Sequence, residues 1–412
     1  MAVRHGYGKI AGTDALVFAY DTGDTVNSYK GEPTENLLSG STKQNISTWS
    51  YSTPGGVDCT ALGETYRGGQ VYRLQDADGV DPDVSVDNYV MYNSVGNVET
   101  GSQYAFSFDL RVIQKSNTSN AGGSGNGAWI WYGTNTTNIA FADYEIGEWN
   151  RVSMTVTAGV SWDLNVDYII PRIDYDNSII DVANFQVEKK SHATPFVNGT
   201  RSATEGLKDL TGLGGIDLSN VSFDSNAQMT FDGTNDKIEL GDLFDVAEHF
   251  TDNQSFTIES VVNIKADNGV RSGIFSNQRF YTETDPGGFG LSINTSGGTS
   301  FCMNLTDSTP ASYQGQCYMS IDFGELQHIV YTYDSSTGII SAYRNGELQN
   351  TSTSALYNWT VPTNSTRTRI ASNYQGGWGY YHEMDLPVVK CYNKALTAGE
   401  IKNNYSHYKN RF

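Results

Sequence analysis

Leu326-Gln327-His328-Ile329-Val330-Tyr331-Thr332-Tyr333-Asp334, a Thr337-Gly338 turn, and Ile339-Ile340-Ser341-Ala342-Tyr343-Arg344 closed by Asn345-Gly346 decide the fold of this chain. Two runs rich in β-branched and aromatic residues are separated by turn residues, which predicts antiparallel strands. Asn-Gly after the second run is the strongest short-range hairpin signal. Working outward, strands are also predicted at Met229-Thr230-Phe231, Phe256 to Ile264 and Phe289 to Ile293. One helix stands out, from Thr397 to Tyr405, with Thr397 as N-cap and Glu400 completing a capping box.

The first half follows the same rule with weaker signals. In Tyr104 to Val112, Phe106, Phe108, Leu110 and Val112 fall on one face; Trp149 to Val156 alternates likewise, and Val182 to Glu188 closes the block. Small polar residues dominate 196–215, which reads as a linker. Residues 1–35 hold one apolar run, Ala15 to Tyr20, too short for its own core, so it is expected to pack on the neighbouring domain or on another protein. The expected architecture is all-β: an N-terminal attachment segment (1–35), a β-sandwich (36–195), the linker (196–215) and a second β-sandwich (216–412), the two sandwiches being tandem antiparallel jelly rolls.

Composition narrows function. Charged residues are only 17% of the 412 and the net charge is -20, so the surface is neutral-polar with an acidic bias. Such a surface repels phosphate backbones and anionic bilayers, which argues against nucleic acid and against membrane insertion. The N-terminus lacks the apolar core of a signal peptide, so synthesis without Sec-type export is expected. Four cysteines are too few for a disulfide scaffold; they read as free thiols, with Cys302 and Cys317 a pair that could meet across a hairpin.

Several landmarks resemble known families. Phe231-Asp232-Gly233-Thr234-Asn235-Asp236, the 326–346 hairpin, and Leu386 to Thr397 with Glu400-Ile401 resemble laminin-G/concanavalin A-like jelly rolls across nearly all of 216–412. Asn36-Leu37-Leu38, Ile46 to Ser50 with Trp49, and Asp181 to Glu188 resemble carbohydrate-binding-module-like jelly rolls. The opening Ala11-Gly12-Thr13-Asp14-Ala15-Leu16-Val17-Phe18-Ala19-Tyr20-Asp21-Thr22-Gly23-Asp24, and Thr194 to Ser202 between the two blocks, are similar to tailed-phage virion structural proteins. That resemblance implies a fibre, neck or capsid-surface component made in a bacterial cytoplasm, partnered by other virion proteins and by itself as a homo-oligomer.

Catalysis finds no support in the residues. A concanavalin-like glycosidase needs two carboxylates facing the scissile bond, on a Glu-x-Asp-x-x-Glu type run, and none is present. Glu259 is alone on its strand, there is no Gly-x-Ser-x-Gly elbow, and the six histidines are scattered, with His328 read as a structural residue. The chain is therefore expected not to be an enzyme; a glycan-binding adhesin outside a virion, or a polysaccharide depolymerase, are the rival readings. Candidate glycan or partner contacts are Tyr374, Trp378, Tyr380 and Tyr381 in a Gly-rich run, and Trp129 and Trp131 after another. Sugar faces stack on such rings, although rings of this kind also fill cores. Candidate calcium ligands are Asp76, Asp78 and Asp81 in one acidic loop, and Asp232 and Asp236 in the Phe231–Asp236 motif; a solvated acidic loop is the plainer reading of the first set.

Overall fold

A computed structural model describes residues 12–40, 44–51, 57–76, 90–91, 99–115, 127–132, 135–140, 143–158, 179–278, 287–294, 299–307, 315–353, 357–372 and 380–411. The chain is all-β, and it divides into two compact units. One comprises Thr34–Arg201 and Ser225–Ala227; the other comprises Met1–Pro33, Ser202–Asp224 and Gln228–Phe412.

The larger unit stacks an eight-stranded sheet on a six-stranded one. The eight-stranded sheet runs Ser222–Phe223, Met229–Asp232, Glu383–Tyr392, Phe256–Ile264, Gln327–Asp334, Ile339–Arg344, Glu347–Thr353, and Leu16–Asp21 joins it on Glu383–Tyr392. The six-stranded sheet runs Ile238–Glu239, Arg369–Ile370, Ser272–Ser276, Gly288–Asn294, Ser300–Thr306, Gly315–Ser320. Their inner faces share one core that includes Phe256, Ile258, Phe289, Leu291, Phe301, Tyr331, Tyr333 and Trp359. The predicted hairpin is present: Val330 pairs with Tyr343 and Tyr333 with Ile340. Asn345 and Gly346 make its outer turn with φ of 53 and 80, the paired left-handed geometry that Asn-Gly supplies at little cost.

Of the two partners open to the opening segment, its apolar run takes the neighbouring domain. From residue 16 it is an integral strand, Leu16–Asp21, antiparallel to Glu383–Tyr392, with Leu16 opposite Tyr392 and Asp21 opposite Val388. Phe18 is fully buried against Phe244 and Phe275, with ring centroids 5.6 and 5.9 Å away. The strand's other edge is closed from within the unit. Ala19 N–H donates to Asp209 Oδ1 at 2.8 Å, Leu210 N–H to the Ala19 carbonyl at 2.7 Å, and Asp21 N–H to Ser28 Oγ at 3.1 Å. Capping of this kind removes an open edge. An apolar face committed to this core is not available to anchor the chain elsewhere. The stretch read as a linker is also ordered: Thr200–Arg201 pairs with Thr34–Glu35, and Leu207–Lys208 with Gly215–Ile216.

In the smaller unit a five-stranded sheet has the order Trp149–Thr157, Gln103–Gln114, Ile179–Glu188, Gly69–Asp76, Val57–Tyr66. Its core face carries Phe106, Phe108, Leu110, Val152, Ile180 and Leu74 with Trp49 against Phe185. Its other face bears one cross-strand row, Trp149, Arg111, Asp181, Arg73 and Thr60. Fully buried Asp181 binds both arginines of that row, at 2.8 Å to Arg73 and 2.6 Å to Arg111. The Thr194–Ser202 motif docks on the final strand: Thr194 N–H and Oγ1 donate to the Glu188 carboxylate at 2.9 and 2.6 Å, and Val197 N–H to Gln186 Oε1 at 2.8 Å.

The C-terminal helix Ala398–Tyr408, with the expected capping box, covers the eight-stranded sheet over a buried polar cluster. Glu259 Oε1 meets His328 Nε2 at 2.9 Å; its Oε2 accepts from Tyr392 Oη at 2.6 Å and Asn404 Nδ2 at 3.0 Å. Burial alone would raise the Glu259 carboxyl, but the nearby Lys390 ammonium and the His328 and Tyr392 hydrogen bonds outweigh it and bring the pKa to about 2. Burial also lowers the Lys390 amine, against the attraction of Glu259 and Asp21. At the helix end Arg411 grips Asp21 with two bonds of 2.6 and 2.7 Å, tying the last turn to the opening strand.

Two outcomes are expected. Phe18→Ala lowers unfolding stability by about 3–5 kcal/mol in denaturant titration, whereas a detachable arm would lose almost nothing. Glu259 is depressed in the folded state, so its contribution is complete above the ordinary value of 4.5 and disappears as pH falls toward about 2. The stability gap between wild type and Glu259→Gln should thus be on the order of a few kcal/mol at neutral pH and shrink through that acid window.

Candidate functional site

The outer face of the six-stranded sheet is the chemically distinctive surface of the larger unit. Its strands alternate large apolar residues inward with small or polar ones outward. In Gly288–Asn294, Phe289, Leu291 and Ile293 join the core, and in Ser300–Thr306, Phe301, Met303 and Leu305 do so. The cross-strand row on the other side reads Glu239, Arg369, Ser276, Gly290, Asn304, Gln316, with an Arg369–Glu239 ion pair of 2.7 Å at one end and neutral groups over the rest. A neighbouring row places Ser292 opposite Cys302 and Cys302 opposite Tyr318.

These groups bond to one another. Asn304 Nδ2 donates to Ser292 Oγ at 2.8 Å, Gln316 Nε2 to Asn304 Oδ1 at 2.8 Å, and Ser292 Oγ to the Cys302 carbonyl at 3.3 Å. Gln278 donates to Thr306. Gly290 keeps the row flat, since a Cβ there would stand 2.6 Å from Ser276 Oγ. Asn304, Cys302 and Ser276 are buried, while Gln316 and Tyr318 on the outermost strand are half-exposed. The accessible end of this layer therefore presents an amide and an aromatic ring, backed by hydroxyl and amide groups without a formal charge. That end can bond hydroxyl-rich ligands; the carboxylate of the row, Glu239, stands at the far end, paired with Arg369.

Register also settles the thiols. Cys317 lies opposite Met303, not Cys302, so the two sulfurs fall on opposite faces, and all four cysteines are free. Burial pushes the Cys302 thiol up to about 12 and the Cys317 thiol to about 11, away from the reactive range.

The aromatic candidates are only partly described. Tyr380 and Tyr381 are half-buried; Tyr381 bridges to Ser372 beside the six-stranded sheet, and its carbonyl accepts from Asn268 Nδ2 at 3.2 Å. Tyr374 and Trp378 lie outside the described residues, as do the side chains of Trp129 and Trp131 on the Gly127–Tyr132 strand. Asp78 and Asp81 likewise lie outside them, and of Asp76 only the backbone is described.

Asp232 and Asp236 are placed as turn anchors. Asp236 Oδ2 accepts from Ser222 and Asp232 N–H, both at 3.0 Å, and Asp232 Oδ1 accepts from Thr234 and Asn235 N–H at 2.7 and 3.3 Å. Burial opposes ionisation of Asp232, but those backbone N–H groups prevail and hold its pKa below the ordinary value. Among the described residues no three His, Cys, Asp or Glu side chains converge to hold a metal. Asp232 also lines an open groove of ≈ 650 Å³ with Asp224, Glu383, Asp385, Lys265 and Leu326. Lys265 and Asp385 pair there. The groove mixes four carboxylates with one ammonium, which no single ligand class matches.

Sequence reasoning located one strand of this sheet, Phe289 to Ile293, but not the other strands and not the face itself. The alternation of Gly, Ser and Asn with Phe, Leu and Ile in 288–294 was its available signal.

Comparison with known proteins supports the class. Residues 232–402 match the family model described as the concanavalin A-like lectin/glucanases superfamily. This stretch is thus similar to a concanavalin A-like jelly roll, in an all-β chain. Among solved structures, the chain is similar to the binding domain of botulinum neurotoxin serotype D, with 14% identity over 51% of this chain and 50% of that one at a TM-score of 0.38. The serotype G binding domain shows 16% identity over 50% and 49%, at a TM-score of 0.39. The Ruminococcus gnavus IT-sialidase CBM40 shows 16% identity over 36% and 82%, at a TM-score of 0.31. The chain spans about half the length of the neurotoxin domains it matches. No curated protein matches it.

Asp236→Asn should cost about 1–3 kcal/mol in chemical denaturation, because one oxygen satisfies two buried-side N–H groups. As a turn anchor, it should show the same loss in EDTA and in millimolar calcium.

Proposed function

We infer that this protein is a non-catalytic recognition and assembly component of a tailed-phage particle, at a fibre, neck or capsid-surface position, whose larger unit contacts an uncharged host-surface glycan. The observation that carries the glycan reading is the accessible end of the six-stranded sheet, where half-exposed Gln316 and Tyr318 stand beside the hydrogen-bonded Asn304 and Ser292. Hydroxyls of a neutral sugar match amide and hydroxyl partners, and a half-exposed ring offers a stacking face. Tyr380 and Tyr381, with Trp378 and Tyr374 in the same connection, would add aromatic contacts. The family match to lectins and glucanases is compatible with this but is a statement about fold, and function has to come from the site.

The particle reading rests on the two sequence motifs. The physical roles found for them, an interlocked opening strand and a Glu188-bound connector, explain why a modular structural protein would keep such joints. Self-assembly and contacts with other particle proteins belong to this reading.

Glycan arrays with the purified chain test it. Binding to neutral oligosaccharides should weaken at least tenfold on Gln316→Ala or Tyr318→Ala, about 1.4 kcal/mol, with folding retained. Incubation with host polysaccharide should release no oligosaccharide. Turnover would overturn the non-catalytic part, and absence of the chain from purified particles would overturn the virion part.

A further inference from the structure

The buried cluster under the C-terminal helix holds one reactive group that its hydrogen bonds leave unused. Lys390 is the cross-strand partner of Glu259, so the two side chains stand side by side on the face that the helix covers. Lys390 is 1% exposed, and its Nζ makes no hydrogen bond among the described residues. It lies 4.8 Å from the centroid of the Tyr408 ring. A lysine buried only to pair charge would set its ammonium on the Glu259 carboxylate, because a buried cation without hydrogen bonds is costly. That carboxylate instead accepts from Asn404 Nδ2 at 3.0 Å. Asn404 stands one helical turn before Tyr408, on the same side of the helix. Glu259 and Asn404 are fully buried, so an amine, a carboxamide and a carboxylate are gathered where water is excluded. Burial lowers the Lys390 amine toward its neutral, nucleophilic form, and ionised Glu259 can take up its proton.

We propose that Lys390 and Asn404 join in an amide bond between their side chains, with Glu259 as the proton carrier. The Lys390 ammonium gives one proton to Glu259, and the electron pair freed on Nζ attacks Asn404 Cγ, opening its C=O bond. A second Nζ proton reaches Nδ2 through Glu259. The carbonyl re-forms, the Cγ–Nδ2 bond breaks with its electron pair on nitrogen, and ammonia leaves. The proton still held by Glu259 leaves with it as ammonium, so the carboxylate is regenerated and no oxidant, reductant or cofactor is consumed. The reaction runs once per chain and acts on no outside substrate. Its product staples the helix Ala398–Tyr408 to Glu383–Tyr392, the strand on which the opening segment Leu16–Asp21 pairs. The inference is independent of the glycan and particle readings, because its readout is a covalent bond within the chain.

Mass spectrometry of the purified full chain tests it. Denatured wild type should weigh one ammonia less than its sequence, and protease digestion should release a branched peptide that joins Lys390 to Asn404. The branched peptide decides the matter, since ring closure at Asn345-Gly346 would also lose ammonia. Lys390→Met and Glu259→Gln should each abolish the branch and leave residues 390 and 404 in linear peptides. Lys390→Met keeps the apolar stem and removes only the amine, so it reports even where Glu259→Gln fails to fold. A wild type with only linear peptides overturns the proposal. A branch that forms fully in folded Glu259→Gln overturns the role given to Glu259.

Discussion

The larger unit depends on one pairing: the opening strand Leu16–Asp21 against Glu383–Tyr392. Leu16 and Tyr392 are partners although 392 − 16 = 376 positions separate them. The pairing covers Val388 to Tyr392 on one side of Glu383–Tyr392, and Met229–Asp232 covers its start, with Phe231 opposite Met384 and Asp232 opposite Glu383. The central strand of the sheet is complete only when the two ends of the chain have met. The smaller unit is spliced between the two halves of that arrangement, leaving after Pro33 and returning at Ser202. Closing so long a loop is entropically expensive, though the cost rises only slowly with length. Non-local strand pairing of this kind also makes for slow folding.

Further contacts converge on the same place. Arg411 binds Asp21, Ser28 and Asp209 close the strand's free edge, and Phe18 sits between Phe244 and Phe275. The helix that carries Tyr408 and Asn404 is fixed over Glu259, whose hydrogen bonds reach His328 and Tyr392 on two strands. A buried carboxylate satisfied on both oxygens fixes where the helix lies; an unsatisfied one would be strongly destabilising. The two sheets thus have contrasting outer faces. One is sealed by the helix; the other is hydrogen-bonded within itself, with the Arg369–Glu239 pair at one end of its row and half-exposed Gln316 and Tyr318 at the other.

Much of the fold was legible in the sequence. The 326–346 hairpin, the Asn345-Gly346 turn, the Thr397 capping box and the Phe106–Val112 face all follow from local periodicity and turn chemistry. The site was less legible. Asp232 and Asp236 looked like metal ligands because carboxylates at that spacing serve either purpose; only the positions of the Ser222 and Thr234 N–H groups show them at work as turn anchors. Cys302 and Cys317 read as free thiols that could also meet across a hairpin; a one-residue register offset puts them on opposite sides of a sheet. Residues 196–215 looked like a linker because short two-residue strands leave no periodic trace.

Sequence alone determined the all-β class, the 326–346 hairpin and the helix start, because these rest on neighbours within a few residues. Tertiary structure decided which strand the opening segment joins, which polar side chains share a row, and which sheet edge is closed. Those depend on backbone groups brought together from distant parts of the chain, and no local pattern of side chains encodes such a meeting.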